Sequence, residues 1–206
     1  MMKPALIVAV LLSIHLPGPA AAQGPPPPPP PMSDDYFPAR WTDYVPAEGG
    51  FAVRFPGKPT ETTEEGDASG VRLVVRGSTF RGLGHYVIAW IDFPADFEAA
   101  GRAGELFDVF QNALLEAATG HAPTVVEKKE LTVHGHPARY VRVDVGKSTA
   151  ARARWVVVKN RLYEQKFVVG KHGAGAFKSE GAYQELATAF FESFRLLPPG
   201  VAPGPR

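Results

Sequence analysis

The chain contains no cysteine. That excludes a disulfide scaffold, a thiolate metal site, a cysteine nucleophile and a lipoprotein-type cysteine anchor. It also lacks any excess of charge, with 22 basic residues against 21 acidic ones. A near-neutral chain exerts no global pull on nucleic acid or anionic lipid. Long hydrophobic runs are missing too. Ala5 to Leu16 is apolar apart from Ser13 and His15, about a dozen residues, too few to cross a ~30 Å hydrocarbon layer as a helix. Proline is scarce only in the middle. Ten of the 21 prolines fall in residues 1–31 and four in 198–206, leaving seven for 32–197. A globular composition thus stands between two proline-rich ends, and 206 residues allow one domain rather than two large ones.

The first segment reads as an address. Met1-Met2-Lys3 is a basic start, Ala5 to Leu16 the apolar stretch, and Pro17-Gly18-Pro19 breaks it before Ala20-Ala21-Ala22-Gln23. This is the three-part layout of a secretory signal peptide, with cleavage expected after Ala22. Loss of residues 1–22 removes Lys3 and no acid, so the mature chain is expected to be charge-balanced. Pro25 to Pro31 follows as seven consecutive prolines. Such a run is an extended polyproline II rod, about 22 Å long at ~3.1 Å per residue. Its expected role is a stiff spacer rather than a ligand for an aromatic groove. The expected organisation is a signal peptide at 1–22, a proline-rich linker at 23–40, one α+β domain at 41–198 and a flexible tail at 199–206.

Within the domain, Phe51, Val53 and Phe55 alternate with Ala52 and Arg54, which predicts a strand ended by Pro56-Gly57. Residues 60–69 are polar and acidic and read as a loop. Val71 to Arg76 alternates again. His85 to Phe93 is apolar on both faces, the pattern of a central strand covered twice. Residues 103–118 change period: Leu106, Phe107, Phe110, Ala113, Leu114 and Ala117 follow helical spacing, which predicts an amphipathic helix closed by Thr119-Gly120. Four strands are expected at 124–133, 138–145, 150–158 and 161–169. The short gaps between them imply antiparallel neighbours. A closing helix is expected to bury Tyr183, Leu186, Ala187, Phe190, Phe194 and Leu197, and to stop at Pro198-Pro199. The predicted class is α+β, an antiparallel β-sheet with helices packed on it.

Candidate sites are few. His134-Gly135-His136 places two imidazoles at i and i+2, a spacing that can share a metal on a strand. No third ligand stands at a readable distance, and Gly135 with Pro137 predicts a turn instead. Gly146-Lys147-Ser148-Thr149 resembles the end of a phosphate-binding loop, but Val141 occupies the position of the required first glycine and a strand follows where a helix should. Gly170 to Gly175 lacks the third glycine of a dinucleotide loop and reads as a pliant lip. Arg142, Arg152, Arg154 and Lys166 are candidates for a basic stripe across neighbouring strands. The favoured reading is a solvated face offset by Asp144 and Glu164. No Gly-x-Ser-x-Gly elbow is present. Glu64-Glu65 lies in polar sequence that would not raise a carboxyl pKa, and His85 opens an apolar strand as a structural residue rather than a general base.

Several stretches together resemble the PsbP-like superfamily, and its small secreted bacterial members of uncharacterised function in particular. They are Trp41-x-x-Tyr44, Gly50-Phe51-x-Val53-x-Phe55-Pro56-x-x-Pro59, Asn160-Arg161-Leu162-Tyr163 and Phe190-x-x-Ser193-Phe194. The resemblance spans about residues 41–197 and rests on packing motifs, none of them catalytic. It implies an α/β/α sandwich around an antiparallel sheet. It also implies a binding or assembly role of the kind that superfamily members fill as photosystem extrinsic subunits or as a GTPase-binding protein.

The expectation is an exported, non-catalytic binding or assembly module of the bacterial cell envelope, periplasmic or secreted after cleavage near Ala22. No catalytic set, metal or cofactor is expected. Its partner would be a protein or small molecule of the envelope, with no nucleic acid and no stable membrane insertion of the mature chain. The alternative is a metal- or small-ligand-binding enzyme accessory using His134 and His136.

Overall fold

The computed structural model describes residues 38–68, 71–118, 122–146, 149–170 and 180–198. The segments expected to be a signal peptide, a proline rod, a pliant lip after Gly170 and a C-terminal tail, and Lys147-Ser148, lie outside the described residues.

Among the described residues, two sheets and two α-helices form the architecture. Strands β1 (Thr42–Tyr44), β2 (Phe51–Phe55) and β10 (Arg195–Leu196) make a small sheet with β2 in the middle. Strands β3 (Thr60–Ala68), β4 (Val71–Arg81), β5 (His85–Asp92), β6 (Pro123–Val133), β7 (His136–Val145), β8 (Thr149–Val158) and β9 (Arg161–Gly170) make the large one. Its order is β3-β4-β5-β9-β8-β7-β6, and every neighbouring pair is antiparallel. The chain leaves β5 in the centre and forms helix α1 (Ala103–Ala117). It enters the far edge at β6, then returns by hairpins until β9 lies beside β5. Helix α2 (Glu180–Glu192) follows. The fold is α+β, an antiparallel sheet with helices packed on it.

The large sheet separates two cores, as the two apolar faces of β5 require. On one face Ala89 and Ile91 join Val141, Trp155 and Leu162 under Leu106, Phe107, Phe110 and Leu114 of α1. Arg139 reinforces this layer. It reaches Asp108 of α1 at 2.6 Å and Glu130 of β6 at 2.5 Å, with its guanidinium 5.4 Å from the centre of the Phe107 ring. On the other face Tyr86, Ile88, Trp90 and Phe167 meet Phe51, Val53 and Phe55 of the small sheet and Leu186, Ala187 and Phe190 of α2. The second layer is therefore a helix and a small sheet side by side. The rings meet mostly edge-on, as quadrupoles favour: Phe51 lies 5.4 Å from Trp90 and 5.5 Å from Tyr163.

Three expectations need correction. Residues 60–68 are strand β3 along the edge of the sheet, not a loop. An edge strand covered on neither side has no apolar alternation to display. The closing helix ends at Glu192, so Phe194 and Leu197 are not part of its stripe. Phe194 is nonetheless 2% exposed, because the chain turns back to pair β10 with β2 and carries that ring into the same core. The turn between β6 and β7 is His134-Gly135, both in the left-handed region at φ 51° and 82°, while His136 and Pro137 already belong to β7. Val145 pairs with Thr149, so the phosphate-loop-like segment joins two antiparallel strands as a hairpin.

Candidate functional site

The β8–β9 turn, Lys159-Asn160, is the anchor of the candidate site. Lys159 adopts φ 53°, which lets two residues reverse the chain. Asn160 then clamps the connection between β5 and α1. Its amide donates to the carbonyls of Pro94 and Ala95, each at 2.9 Å, and its oxygen accepts from the Ala99 N–H at 3.1 Å. The Phe93 N–H donates to the Asn160 carbonyl at 2.8 Å.

Arg161 binds in two directions. Its guanidinium forks onto Asp92, its register partner on β5, at 2.5 and 2.8 Å. Its remaining amino group donates to the carbonyls of Glu48 and Gly49 at 2.9 and 2.7 Å. Tyr163 adds a third donor to this loop, its hydroxyl 3.0 Å from the Gly49 carbonyl. Gly49 has no alternative there, since a Cβ would stand 2.3 Å from Pro46 and 2.5 Å from the Phe51 ring. Burial works against the Arg161 charge, but the hydrogen bonds of Asp92 and Tyr163 outweigh it and hold the group above its ordinary pKa. Burial raises the Tyr163 phenol, with Arg161 opposing. Arg76 closes the ring of charges, 2.9 Å from Glu48 and 3.8 Å from Asp92.

These contacts frame a groove of about 910 Å³ at one end of the sandwich. Its walls are the loop from Val45 to Gly50, the β8–β9 turn, the end of β5 and the segment from Leu196 to Pro198. Val158, Leu196 and Leu197 provide half-buried apolar surface. The polar groups just described are engaged by the protein itself. Lys159, exposed at the rim, and His136, half-buried at the start of β7, have no such engagement among the described residues. The groove therefore offers an ammonium and an imidazole over an apolar floor. That set can hold an acceptor or carboxylate and an apolar remainder; it does not include a nucleophile held by a base.

The two histidines singled out in the sequence serve different places. His134 puts Nε2 3.0 Å from the Phe194 carbonyl, tying the β6–β7 turn to the segment before β10. That nitrogen is the donor, so it is not a metal ligand in this arrangement. His136 lines the groove. Among the described residues no three His, Asp or Glu side chains gather as a metal site. His85 is 9% exposed, and burial first, then Arg81 and Lys166, lowers its pKa to about 4.

The basic stripe divides by register. Arg142 pairs with Arg152, and Arg154 follows two residues on, so all three occupy the face under α2. Lys166 pairs with Ala153 and Glu164 with Trp155, which puts both on the α1 face. Glu164 accepts from the Trp155 indole at 3.1 Å and lies 4.0 Å from Lys166. It does not offset the arginines, contrary to the expectation from sequence. Arg154 donates to Gln165 at 2.5 and 3.1 Å and to the Phe191 carbonyl, while Gln165 donates to the Phe190 carbonyl at 3.0 Å. The pair thus satisfies carbonyls at the C-terminal end of α2, where orphan acceptors and the helix dipole favour a cation. Neither this bracket nor the groove was apparent in the sequence. The one sequence signal for the groove is the run Asn160-Arg161-Leu162-Tyr163, whose pattern by itself implies packing.

No family model matches the sequence, and no curated protein matches it. Among solved structures the chain is similar to cyanobacterial PsbP from Synechocystis sp. PCC 6803, with a TM-score of 0.49 and 14% identity over 76% of this chain and 92% of that one. A Pseudomonas aeruginosa protein of unknown function gives 0.32 and 13% over 81% and 99%. A protein from Bacteroides thetaiotaomicron VPI-5482 gives 0.33 and 14% over 77% of this chain and 49% of that one. All three scores are low, and the architecture stands on the ladders and cores described above.

Proposed function

We propose that the protein is an exported, non-catalytic binding module of the cell envelope that receives its partner in the groove beside the β8–β9 turn. The observation that carries this reading is the division of labour in the groove. Arg161, Asp92, Asn160 and Tyr163 are bound up in holding its walls. Lys159 and His136 remain to meet a ligand, with Val158 and Leu196 beneath. A rigid polar frame around an apolar floor is the make-up of a recognition site. The partner has an acceptor or carboxylate for Lys159 and an apolar portion for the floor. Export rests on residues 1–22, and mature protein beginning at Gln23 is expected by mass spectrometry of the secreted or periplasmic fraction. No helix among the described residues is long and apolar enough to cross a membrane.

Site-directed photocrosslinking in the producing cells tests the reading. A benzophenone side chain at position 159 is expected to give a discrete adduct that the same probe at Glu116, exposed on α1, does not. A His136→Ala, Leu196→Asp double variant should lose it. Identical adducts from both positions, or turnover by the purified domain that a single polar substitution abolishes, would contradict the proposal.

A further inference from the structure

A pair of arginines lies on the same face of the large sheet, toward the β6 edge. Arg142 on β7 and Arg152 on β8 are register partners. Directly opposed residues hold their Cβ atoms about 5 Å apart and on the same face, where like charges destabilise a ladder. Arg152 is 7% exposed. Its guanidinium stacks on the Tyr183 ring of α2, 4.9 Å from the ring centre. The Nε–H groups of both arginines are buried and have no acceptor among the described residues. Neither guanidinium has an ion-pair partner among the described residues. The acid facing Arg142 in the ladder is Glu127; its carboxylate pairs with Lys129 at 2.5 Å, and the charges of Arg142 and Arg152 act on it from farther off without forming an ion pair. Two opposed cations with buried donors are costly to hold together unless an anion lies between them.

We propose that Arg142 and Arg152 together form a binding site for a phosphate-class oxyanion, either free or as the headgroup of a phospholipid or other phosphate ester. The charge argues for this class. A phosphate monoester carries about −1.5 to −2 near neutral pH and presents three acceptor oxygens, and a phosphodiester headgroup carries a single negative charge shared by two such oxygens. Two guanidinium forks supply matching charge and more donors than one carboxylate can use. Arg152, fixed between strand and ring, is the rigid half of the site, and half-buried Arg142 is the half that closes on the ion. Arg154 takes no part, being bound to Gln165 and the end of α2. This site is separate from the groove, and its success or failure leaves the groove reading untouched.

The test uses the full mature chain at low ionic strength in a chloride buffer. Calorimetry with inorganic phosphate and with sulfate is expected to show saturable binding of one equivalent, with acetate much weaker. Arg142→Gln should weaken it by about tenfold or more, the loss of one charge-assisted contact. Arg142 is only half-buried, so this variant is expected to fold, and without phosphate it should melt no lower than the wild type. Lys58→Gln, at an exposed lysine that lines neither site, should bind phosphate like the wild type. Co-sedimentation with phosphatidylglycerol vesicles, against phosphatidylcholine alone, tells a headgroup from a free ion; loss of vesicle binding in Arg142→Gln marks the headgroup. Absence of saturable binding in both arms overturns the proposal. So does acetate binding as tightly as phosphate, or unchanged binding by Arg142→Gln.

Discussion

Arg161 and Asp92 face each other across the β5–β9 ladder, and the guanidinium fork meets both carboxylate oxygens. The same arginine holds the loop before β2 through the carbonyls of Glu48 and Gly49. One side chain thereby joins the small sheet to the centre of the large one and sets the width of the groove between them.

Replacing Arg161 tests that joint. Asp92 is about half exposed, so solvent screening limits the ion pair itself, and most of the effect comes from the loop carbonyls left without donors. Arg161→Ala is expected to cost about 1–2 kcal/mol in urea unfolding. Arg161→Lys keeps the charge but cannot bridge carboxylate and loop together, and should recover less than half of that. A lysine variant as stable as the wild type would show that the fork is dispensable.

The turn between β6 and β7 offers a test of backbone conformation alone. Gly135 stands at φ 82°, and a Cβ there would meet nothing within 4 Å. Gly135→Ala therefore measures left-handed strain without a clash, expected at about 1–2 kcal/mol. Thermal denaturation against the wild type reads it directly. An unchanged melting temperature would mean that the turn relaxes to another type, and that the His134 contact with Phe194 moves with it.

What could be read from the sequence follows from which strands have a buried side. β7 and β2 alternate, so Phe51, Val53, Phe55 and Val141, Val143, Val145 announce their strands, while β5 is apolar throughout because both its faces are packed. Thr60 to Gly66 carried no such pattern because edge strand β3 is largely exposed. The apolar stripe of α2 continues in the sequence past the helix's end because Phe194 keeps helical spacing while belonging to a return turn. Arg152 and Arg154 share a face by period alone, but Lys166 could not be placed without the register of β9. One residue of slip exchanges the faces. The groove was illegible for the same reason. Asp92, His136, Asn160 and Leu197 are far apart in sequence and meet only once the ladders are set.

Under α2, Gln165 and Arg154 act as one unit. Gln165 is 1% exposed and accepts from Arg154 while donating to Phe190. Burial lowers the Arg154 pKa to about 10, so the charge persists at neutral pH. Gln165→Leu leaves that charge short of an acceptor and should cost about 2 kcal/mol. Adding Arg154→Met removes the stranded donor. In a double-mutant cycle followed by urea unfolding, the pair should cost less than the sum of the single changes. Simple additivity would mean that each side chain acts alone.

His85 gives the chain a pH dependence of definite sign. Its imidazole is buried at the start of β5, with Arg81 and Lys166 the cations around it and Val168 opposite in the ladder. Burial chiefly, then those two charges, takes its pKa from 6.5 down to about 4. As pH falls through 6.5 the unfolded chain takes up a proton that the folded chain refuses until about pH 4. The contribution to stability is thus complete above the unfolded value and is lost progressively between the two. Asp43 and Glu127, with pKa values lowered below 3.8 and 4.5 by Arg195 and Lys129, lose their contributions at lower pH. The window from about pH 6.5 to 4.5 therefore isolates the histidine. Urea midpoints of the wild type should drop across it, and those of His85→Gln should stay nearly level. Parallel slopes would mean that the imidazole is protonated as readily in the folded chain as in the unfolded one.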